Sequence, residues 1–207
     1  MLLKSTAKCL LNMKIILASG SPRRREIIQS LGFVVDVKPS SFDENLNRSD
    51  YNNHGDFVTD LAAHKVNDIF DKLSKEELKS SILCIGADTI VTKGEKLYGK
   101  PKNKEDAFDM LSDLSGSTHT VYTGVFIKTV EKEIKFWEST EVTFGNITSE
   151  QIHAYIETGE YTDKAGGYGI QGTGGCLVEK INGDYYTVVG LPLYSLIKHL
   201  NDFLSEA

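Results

Sequence analysis

The sequence predicts an α/β fold, because patterns typical of strands and patterns typical of helices alternate along its 207 residues. The clearest pair opens the chain: residues 14–18 form a short apolar run with strand character, and Gly20 permits a tight turn. Ser21 then suits a helix N-cap, and Pro22 suits the first helical position. A chain of this length accommodates one domain with a substantial core, which is what we expect here.

The later elements follow from apolar alternation, which predicts strands, and from a 3.6-residue period, which predicts helices. The predicted strands span residues 33–37, 82–85, 90–92, 120–129, 135–143, 176–180 and 184–189, the last two joined as a hairpin around Asn182 and Gly183. The predicted helices span residues 57–73, 105–114, 148–156 and 193–203. Residues 39–53 are polar and are predicted to form a loop.

Composition limits the classes of protein to consider. Hydrophobic residues make up 40% and charged residues 25% of the chain, and no apolar run is long enough to cross a bilayer, so we expect no membrane association. A net charge of −6 argues against binding an extended nucleic acid polymer. Cys9, Cys84 and Cys176 are odd in number and lack metal-site spacing, which favours a reducing compartment and a cytoplasmic location.

The first twelve residues carry Lys4 and Lys8 but no acid. We expect residues 1–12 to be a disordered extension, with a weak organelle-targeting segment as the alternative. The single folded domain is then expected to span residues 13–207.

Three consecutive arginines stand in the first turn of the predicted helix after Ser21, where the helix dipole repels cations and favours anions. Arg23 and Arg24 precede Ile27 and Ile28 by four residues and so lie on the core-facing stripe, whereas Arg25 lies on the polar face. We therefore predict that Arg23 and Arg24 bind phosphate or carboxylate oxygens. The alternative is a solvated basic turn.

Two further residues interrupt apolar patterns. Lys65 falls on the apolar face of the helix at 57–73, where it either extends to the surface or points into a site. Asp88 follows the apolar run 82–85 and is predicted to lie at the end of a buried strand, next to an opening loop. Asp88 is therefore the strongest single catalytic candidate. Lys100, in a turn before Pro101, is either a second site cation or a surface residue.

Residues 163–175 contain six glycines interleaved with Asp163, Lys164 and Gln171. Glycines allow the backbone to approach a ligand closely, and these three side chains offer an acceptor, a cation and an amide able to read a base edge. A flexible linker is the alternative, although linkers are seldom interleaved with aromatic and charged residues.

Four motifs together resemble the Maf family of nucleoside triphosphate pyrophosphatases: LASGSPRR at 17–24, GADT at 86–89, GKP at 99–101 and DKAGGYGIQG at 163–172. The resemblance covers nearly the whole chain from Met13, with one departure at Gly167, where alanine is common. It implies a long, mixed, twisted sheet flanked by helices, with two lobes around a central cleft, similar to the inosine triphosphate pyrophosphatase architecture.

The resemblance also implies hydrolysis of a nucleoside triphosphate to the monophosphate and pyrophosphate with a divalent cation. It assigns catalytic positions to Asp88, Glu44, Lys65 and Lys100, the first two also as ligands of Mg²⁺ or Mn²⁺. The substrate-binding positions that follow from the motifs and the resemblance are Ser19, Ser21, Arg23, Arg24, Thr89, Asp163, Lys164 and Gln171.

Within the family, the branch that acts on dTTP and UTP carries Arg, Thr and Gln at three specificity positions, which here are Arg23, Thr89 and Gln171. The resemblance is compatible with a homodimer. Two alternatives stay open from the residues alone. One is a binding protein that senses nucleotides or regulates a partner such as a division protein without turnover. The other is a pyrophosphatase for modified purine or other non-standard nucleotides.

Overall fold

The computed structural model describes residues 1–205. Its strands are β1 (Lys14–Leu17), β2 (Val35–Val37), β3 (Ile82–Lys93), β4 (Lys96–Tyr98), β5 (Thr118–Lys128), β6 (Glu133–Phe144) and β7 (Val178–Asn182). Its α-helices are α1 (Lys4–Leu11), α2 (Pro22–Ser30), α3 (His54–Phe70), α4 (Lys104–Leu114), α5 (Ser149–Glu157), α6 (Tyr185–Val189) and α7 (Leu193–Ser205). Short 3₁₀ turns occupy Arg48–Asp50, Glu77–Lys79, Ala165–Gly167 and Thr173–Leu177.

The seven strands form one sheet in the order β2-β1-β3-β5-β6-β7, with β4 paired to β3. β1 runs parallel to both β2 and β3, whereas β4 is antiparallel to β3 and β7 is antiparallel to β6. The sheet is therefore mixed, and the predicted α/β fold with a mixed sheet and flanking helices is confirmed.

The chain divides into two compact units. The first contains residues 1–88, 123–138 and the chain from Gly190 onward. Its core joins β1, α3 and β3 through Ile16, Val66 and Ile82, and it encloses the thiol of Cys84. Burial raises the pKa of Cys84 to about 12, so this thiol stays protonated and serves as a core residue.

The second unit contains residues 89–122 and 139–189. Helices α4 and α5 contribute Leu111 and Ile152 to its core, and β5 and β6 contribute Val121 and Phe144. Asn103 caps α4 through Asp106 N, and Thr148 forms the predicted capping box with Gln151 at the start of α5.

One prediction about β3 is wrong. The sequence predicted two runs with a strand end between them, but Ile82–Lys93 is a single strand of 12 residues. Gly86 explains why the run continues: a Cβ there would lie 2.4 Å from Val66 Cγ2 and 3.0 Å from the carbonyl oxygen of Ala62. The glycine is thus required for α3 to approach the strand, and it does not mark the strand's end.

The predicted hairpin at 176–189 is also wrong in its second half. Residues 178–182 form β7 and pair with β6, but Tyr185–Val189 is helix α6. The carboxylate of Asp184 accepts hydrogen bonds from the backbone N–H and the hydroxyl of Thr187, at 2.6 and 2.9 Å. This side-chain cap starts a helical turn and overrides the strand preference of the tyrosines and valines that follow.

Residues 4–11 form helix α1, which differs from the disordered extension expected over 1–12. The side chain of Asn201 in α7 fixes the start of this segment. It accepts from Leu3 N at 3.0 Å and donates to the carbonyl oxygen of Met1 at 3.2 Å.

Among residues 1–205, no helix is both long enough and apolar enough to cross a membrane.

Candidate functional site

The arginine cluster begins α2, as predicted. Ser21 occupies the N-cap position and Pro22 the first helical position, but the Ser21 side chain makes no capping bond. Ser19 Oγ instead accepts from Ser21 N at 3.2 Å and from Arg24 Nη1 at 3.0 Å. Ser19 is only 6% exposed, so it orders the turn between strand and helix from the inside.

Arg24 is held at both sides of its guanidinium. Its Nε donates to the carbonyl oxygen of Gly190 at 2.8 Å, and its Nη1 donates to Ser19. Burial lowers the pKa of Arg24, and the negative charges of Asp88 and Glu44 act in the opposite direction. These carboxylates therefore favour the charged form of this partly buried guanidinium.

The orientation of the cluster agrees with the helical register deduced from the sequence. Arg23 and Arg24 are half-buried, whereas Arg25 is exposed. Ile27 and Ile28 lie in the core below the first two. The role in phosphate binding stays a prediction.

Lys65, Glu44 and Asp88 meet in the same unit. Lys65 Nζ bonds to Asp88 Oδ1 and lies 2.8 Å from Glu44 Oε1. The side chains of Lys65 and Asp88 are each 11% exposed, whereas that of Glu44 is 46% exposed. We call Arg24, Glu44, Lys65 and Asp88 the charged cluster. Lys65 thus points into a group of charges and does not extend to open solvent.

Asp88 was predicted at the end of a strand, and this is wrong. It lies in the interior of β3, and its side chain reaches Lys65 on α3. Because Gly86 brings α3 close to β3, a lysine on the apolar helix face reaches a carboxylate on the strand. The strand therefore fixes the backbone of Asp88 on both sides, more rigidly than a loop would.

The charged cluster fits a divalent metal ion. One ammonium nitrogen contacts both carboxylates, so oxygens of Asp88 and Glu44 converge on a position where a cation is favourable. Carboxylate oxygens are ligands that Mg²⁺ and Mn²⁺ prefer, and Mg²⁺ is commonly held by one or two carboxylates plus substrate phosphates. No group of three or more His, Cys, Asp or Glu side chains suited to a metal occurs among the described residues.

The remaining predicted residues lie in the second unit. Thr89 follows Asp88 along β3 and is half-buried. Lys100 and Gln171 are exposed in loops, and Asp163 is exposed with a positive φ of 65°. Lys164 Nζ donates to the carbonyl oxygens of Glu160 and Thr162, at 2.5 and 3.2 Å.

Residues 163–175 form the glycine-rich segment. Hydrogen bonds to aromatic side chains that the sequence did not point to stabilise this segment. The hydroxyl of buried Tyr168 lies 2.8 Å from His119 Nε2. Tyr155 Oη accepts from Gly169 N at 3.2 Å, and Gly166 N donates to the carbonyl oxygen of Gly99 at 3.0 Å. His119 is 49 residues from Tyr168 and Tyr155 is 14 residues from Gly169, so no spacing within the segment could have identified them.

Comparison with known proteins shows which family the chain matches. The model of the Maf-like protein family matches residues 14–203. A dTTP/UTP pyrophosphatase of Bacillus anthracis is 46% identical over 190 residues, which cover 92% of this chain and 95% of that protein. A dTTP/UTP pyrophosphatase of Bacillus thuringiensis subsp. konkukian is 45% identical over 190 residues, with the same coverage of 92% and 95%.

Among solved structures, a nucleoside-triphosphatase described as a dITP/XTP pyrophosphatase, from Mycobacterium abscessus, is similar over 65% of this chain and 76% of its own, with 16% identity and a TM-score of 0.36. That similarity is too low to bear on the assignment, which depends on the family match and the sequence relatives. On those grounds, this chain belongs to the Maf family.

Proposed function

We propose that this protein hydrolyses nucleoside triphosphates, preferably dTTP and UTP, to the nucleoside monophosphate and pyrophosphate. The observation that carries the proposal is the charged cluster, in which Lys65 contacts both Asp88 and Glu44 and Arg24 is fixed nearby. The names of the relatives support the same reaction.

Attack of water on a triphosphate first requires neutralisation of the phosphate oxygens. Arg24 is already oriented by Ser19 and Gly190, so its guanidinium loses little freedom when it binds a phosphate. Arg23 lies in the first turn of the same helix, where backbone N–H groups and the dipole also favour an anion. Together with Lys65 these groups favour the additional negative charge of the transition state.

We assign Asp88 as the group that orients the attacking water and accepts its proton. Its carboxylate accepts a hydrogen bond from Lys65, which holds it in one orientation. In the reaction, the water oxygen bonds to a phosphorus atom of the α,β-anhydride, the bridging P–O bond breaks, and Asp88 receives the proton of the water. The products are one nucleoside monophosphate and one pyrophosphate.

Asp88 and Glu44 would hold the divalent ion, Mg²⁺ or Mn²⁺. When bound, such an ion supplies additional positive charge to the phosphates and lowers the pKa of coordinated water. Lys65 currently occupies the position between the two carboxylates. We therefore infer that Lys65 would give up part of its contact with the two carboxylates when an ion binds, and that its ammonium group would then be available to the phosphates.

Base choice is assigned to Thr89 and Gln171. A side-chain amide presents both a donor and an acceptor, which matches the O4 and N3 edge of uracil or thymine, whereas cytosine inverts that edge. Gln171 is exposed in the glycine-rich segment and so is accessible to a base. The family resemblance assigns a catalytic position to Lys100, and the motifs and the resemblance assign substrate binding to Asp163, Lys164 and Ser21.

We place the enzyme in the cytoplasm, where its three free cysteines would stay reduced.

A pyrophosphate-release assay across dTTP, UTP, CTP and the purine triphosphates, with added Mg²⁺ or Mn²⁺, tests the proposal. We expect dTTP and UTP to exceed the others by at least about tenfold in kcat/KM, since a mismatched base leaves polar groups unpaired. Gln171→Ala should reduce the ratio of kcat/KM for UTP to that for CTP by a larger factor than it reduces kcat for UTP. Equal kcat/KM for UTP and CTP in the unmodified protein would contradict the base assignment, and release of no pyrophosphate would contradict the reaction.

A further inference from the structure

Residues 40–44, which we call the acidic loop because they end in Asp43 and Glu44, run along one side of α3. Lys72 Nζ donates to Ser41 Oγ at 2.7 Å at one end. At the other end, Lys65 Nζ lies 2.8 Å from Glu44 Oε1. The acidic loop therefore runs antiparallel to α3, from the C-terminal end of the helix toward its middle.

Asp68 is the main attachment point between these two ends. Its Oδ2 accepts from Ser40 Oγ at 2.7 Å and from Ser41 N at 2.9 Å, while its Oδ1 lies 2.6 Å from Lys72 Nζ. Hydrogen bonds from Lys72 and Ser40 hold the pKa of Asp68 at about 2, so it is ionised at neutral pH. Asp68 thus fixes both a side chain and the backbone of the loop.

A ring contact continues the attachment one turn earlier on the helix. Phe42 stacks on His64, with ring centroids 4.6 Å apart and planes 4° from parallel. His64 and Asp68 are four residues apart and so lie on the same face of α3.

The lengths agree with this arrangement. The part of α3 from Lys65 to Phe70 rises about 8 Å. Three residues from Ser41 to Glu44 can span up to about 10 Å. This stretch is therefore long enough to reach from the end of α3 back to Lys65.

This attachment matters because the pair with Lys65 does not by itself fix the loop that carries Glu44. The side chain of Glu44 is 46% exposed, and a partly exposed ion pair stabilises little. Ordering the backbone of a free loop costs conformational entropy at every residue. The contacts of Ser40, Ser41 and Phe42 therefore contribute to the ordering that places Glu44 beside Lys65.

We propose that Asp68 is a positioning residue of the active site, which acts through Glu44 by anchoring the acidic loop to α3. The inference rests on the proposed pyrophosphatase function, because Glu44 is assigned there to the divalent ion. Asp68 itself lies one helical turn from Lys65 and touches neither Asp88 nor Arg24 through any contact the structure shows among residues 1–205.

The test compares Asp68→Ala with Asp71→Ala, which removes an equal charge from an exposed position at the end of the same helix. We expect Asp68→Ala to lose about tenfold in kcat/KM for UTP and to require more Mg²⁺, while Asp71→Ala stays within about twofold of the unmodified protein. If Asp68→Ala proves unstable, Asp68→Asn is the second variant to measure. It keeps an acceptor oxygen for Ser40 and Ser41 and should retain most activity.

The double variant Glu44→Gln/Asp68→Ala separates positioning from a general loss of stability. If Asp68 acts through Glu44, the double variant should be no slower than Glu44→Gln alone, within about twofold. Losses that multiply would overturn the inference.

Hydrogen exchange gives a readout that does not depend on turnover. The amides of residues 41–44 should exchange faster in Asp68→Ala than in Asp71→Ala, and unchanged exchange would overturn the inference even in an active enzyme. An unmodified protein that releases no pyrophosphate while the loop still loosens would instead contradict the proposed function.

Discussion

The charged cluster and the glycine-rich segment carry polar groups in opposite ways. In the charged cluster, Lys65 and Asp88 are almost fully enclosed and satisfy one another. In the glycine-rich segment, Asp163 and Gln171 are exposed, and order comes from the buried ring of Tyr168 and from backbone contacts. Under the proposed function, the groups assigned to phosphate chemistry are therefore fixed before substrate arrives, whereas Gln171, assigned to base reading, is exposed and can adapt.

The largest expected effect follows from removing the carboxylate in the charged cluster. Asp88→Asn should lower kcat by at least about 100-fold, since it removes the proton acceptor. Affinity for the nucleotide should change little, because the loss of a ligand to the divalent ion opposes the gain from removing a negative charge beside a polyanion. Stopped assays for kcat and equilibrium titration with UTP measure the two quantities. A variant that kept more than about a tenth of the rate would show that Asp88 is not the base.

The second effect distinguishes neighbouring arginines. Arg24→Ala should lower kcat/KM by about 10- to 100-fold, because a charge-assisted hydrogen bond contributes about 1.5–3 kcal/mol, and it also leaves Ser19 and Gly190 without their partner. Arg25→Ala should be nearly neutral, because that side chain is exposed. Steady-state kinetics of the two variants provide matched comparisons. Equal losses at both positions would break the assignment of the helix face.

The smallest expected effect at neutral pH is on the free energy of unfolding, and it comes from His119, which contacts Tyr168 in the glycine-rich segment. Burial lowers the pKa of His119 to about 4, below the 6.5 of an exposed histidine. The folded state therefore binds fewer protons than the unfolded state between these values, and its stability falls as the pH drops from 6.5 to 4, by about 3 kcal/mol in total.

His119→Gln keeps a polar group for Tyr168 but cannot take up that proton. The free energy of unfolding of the variant should therefore depend less on pH across this interval than that of the unmodified protein. Denaturant titrations at pH 7 and pH 5 measure the difference. Parallel pH profiles for the two proteins would contradict a neutral, buried His119.

Local signals in the sequence predicted much of the secondary structure. Asn103 and the pair Thr148 and Gln151 act as caps where they were expected, and the strand and turn before Arg23 are correct. These signals involve atoms within a few residues of one another, so their geometry is fixed by spacing alone.

The errors arise where distant contacts decide. Gly86 resembles a strand end in the sequence, but it is the point where α3 approaches β3. Asp68 carried no signal, because its partners Ser40 and Ser41 lie 27–28 residues away in a polar loop. The candidate residues could be named from chemistry and family resemblance, but their support could not, because it depends on tertiary packing.

We infer that the charged cluster directs water to the α,β-anhydride of a pyrimidine nucleoside triphosphate. UTP hydrolysis followed by ³¹P NMR with Mg²⁺, with Asp88→Asn as the control, tests this inference. We predict that UMP and pyrophosphate appear in equal amounts and that the control shows neither on the same timescale. Formation of UDP and inorganic phosphate, or equal turnover by the control, would contradict the account.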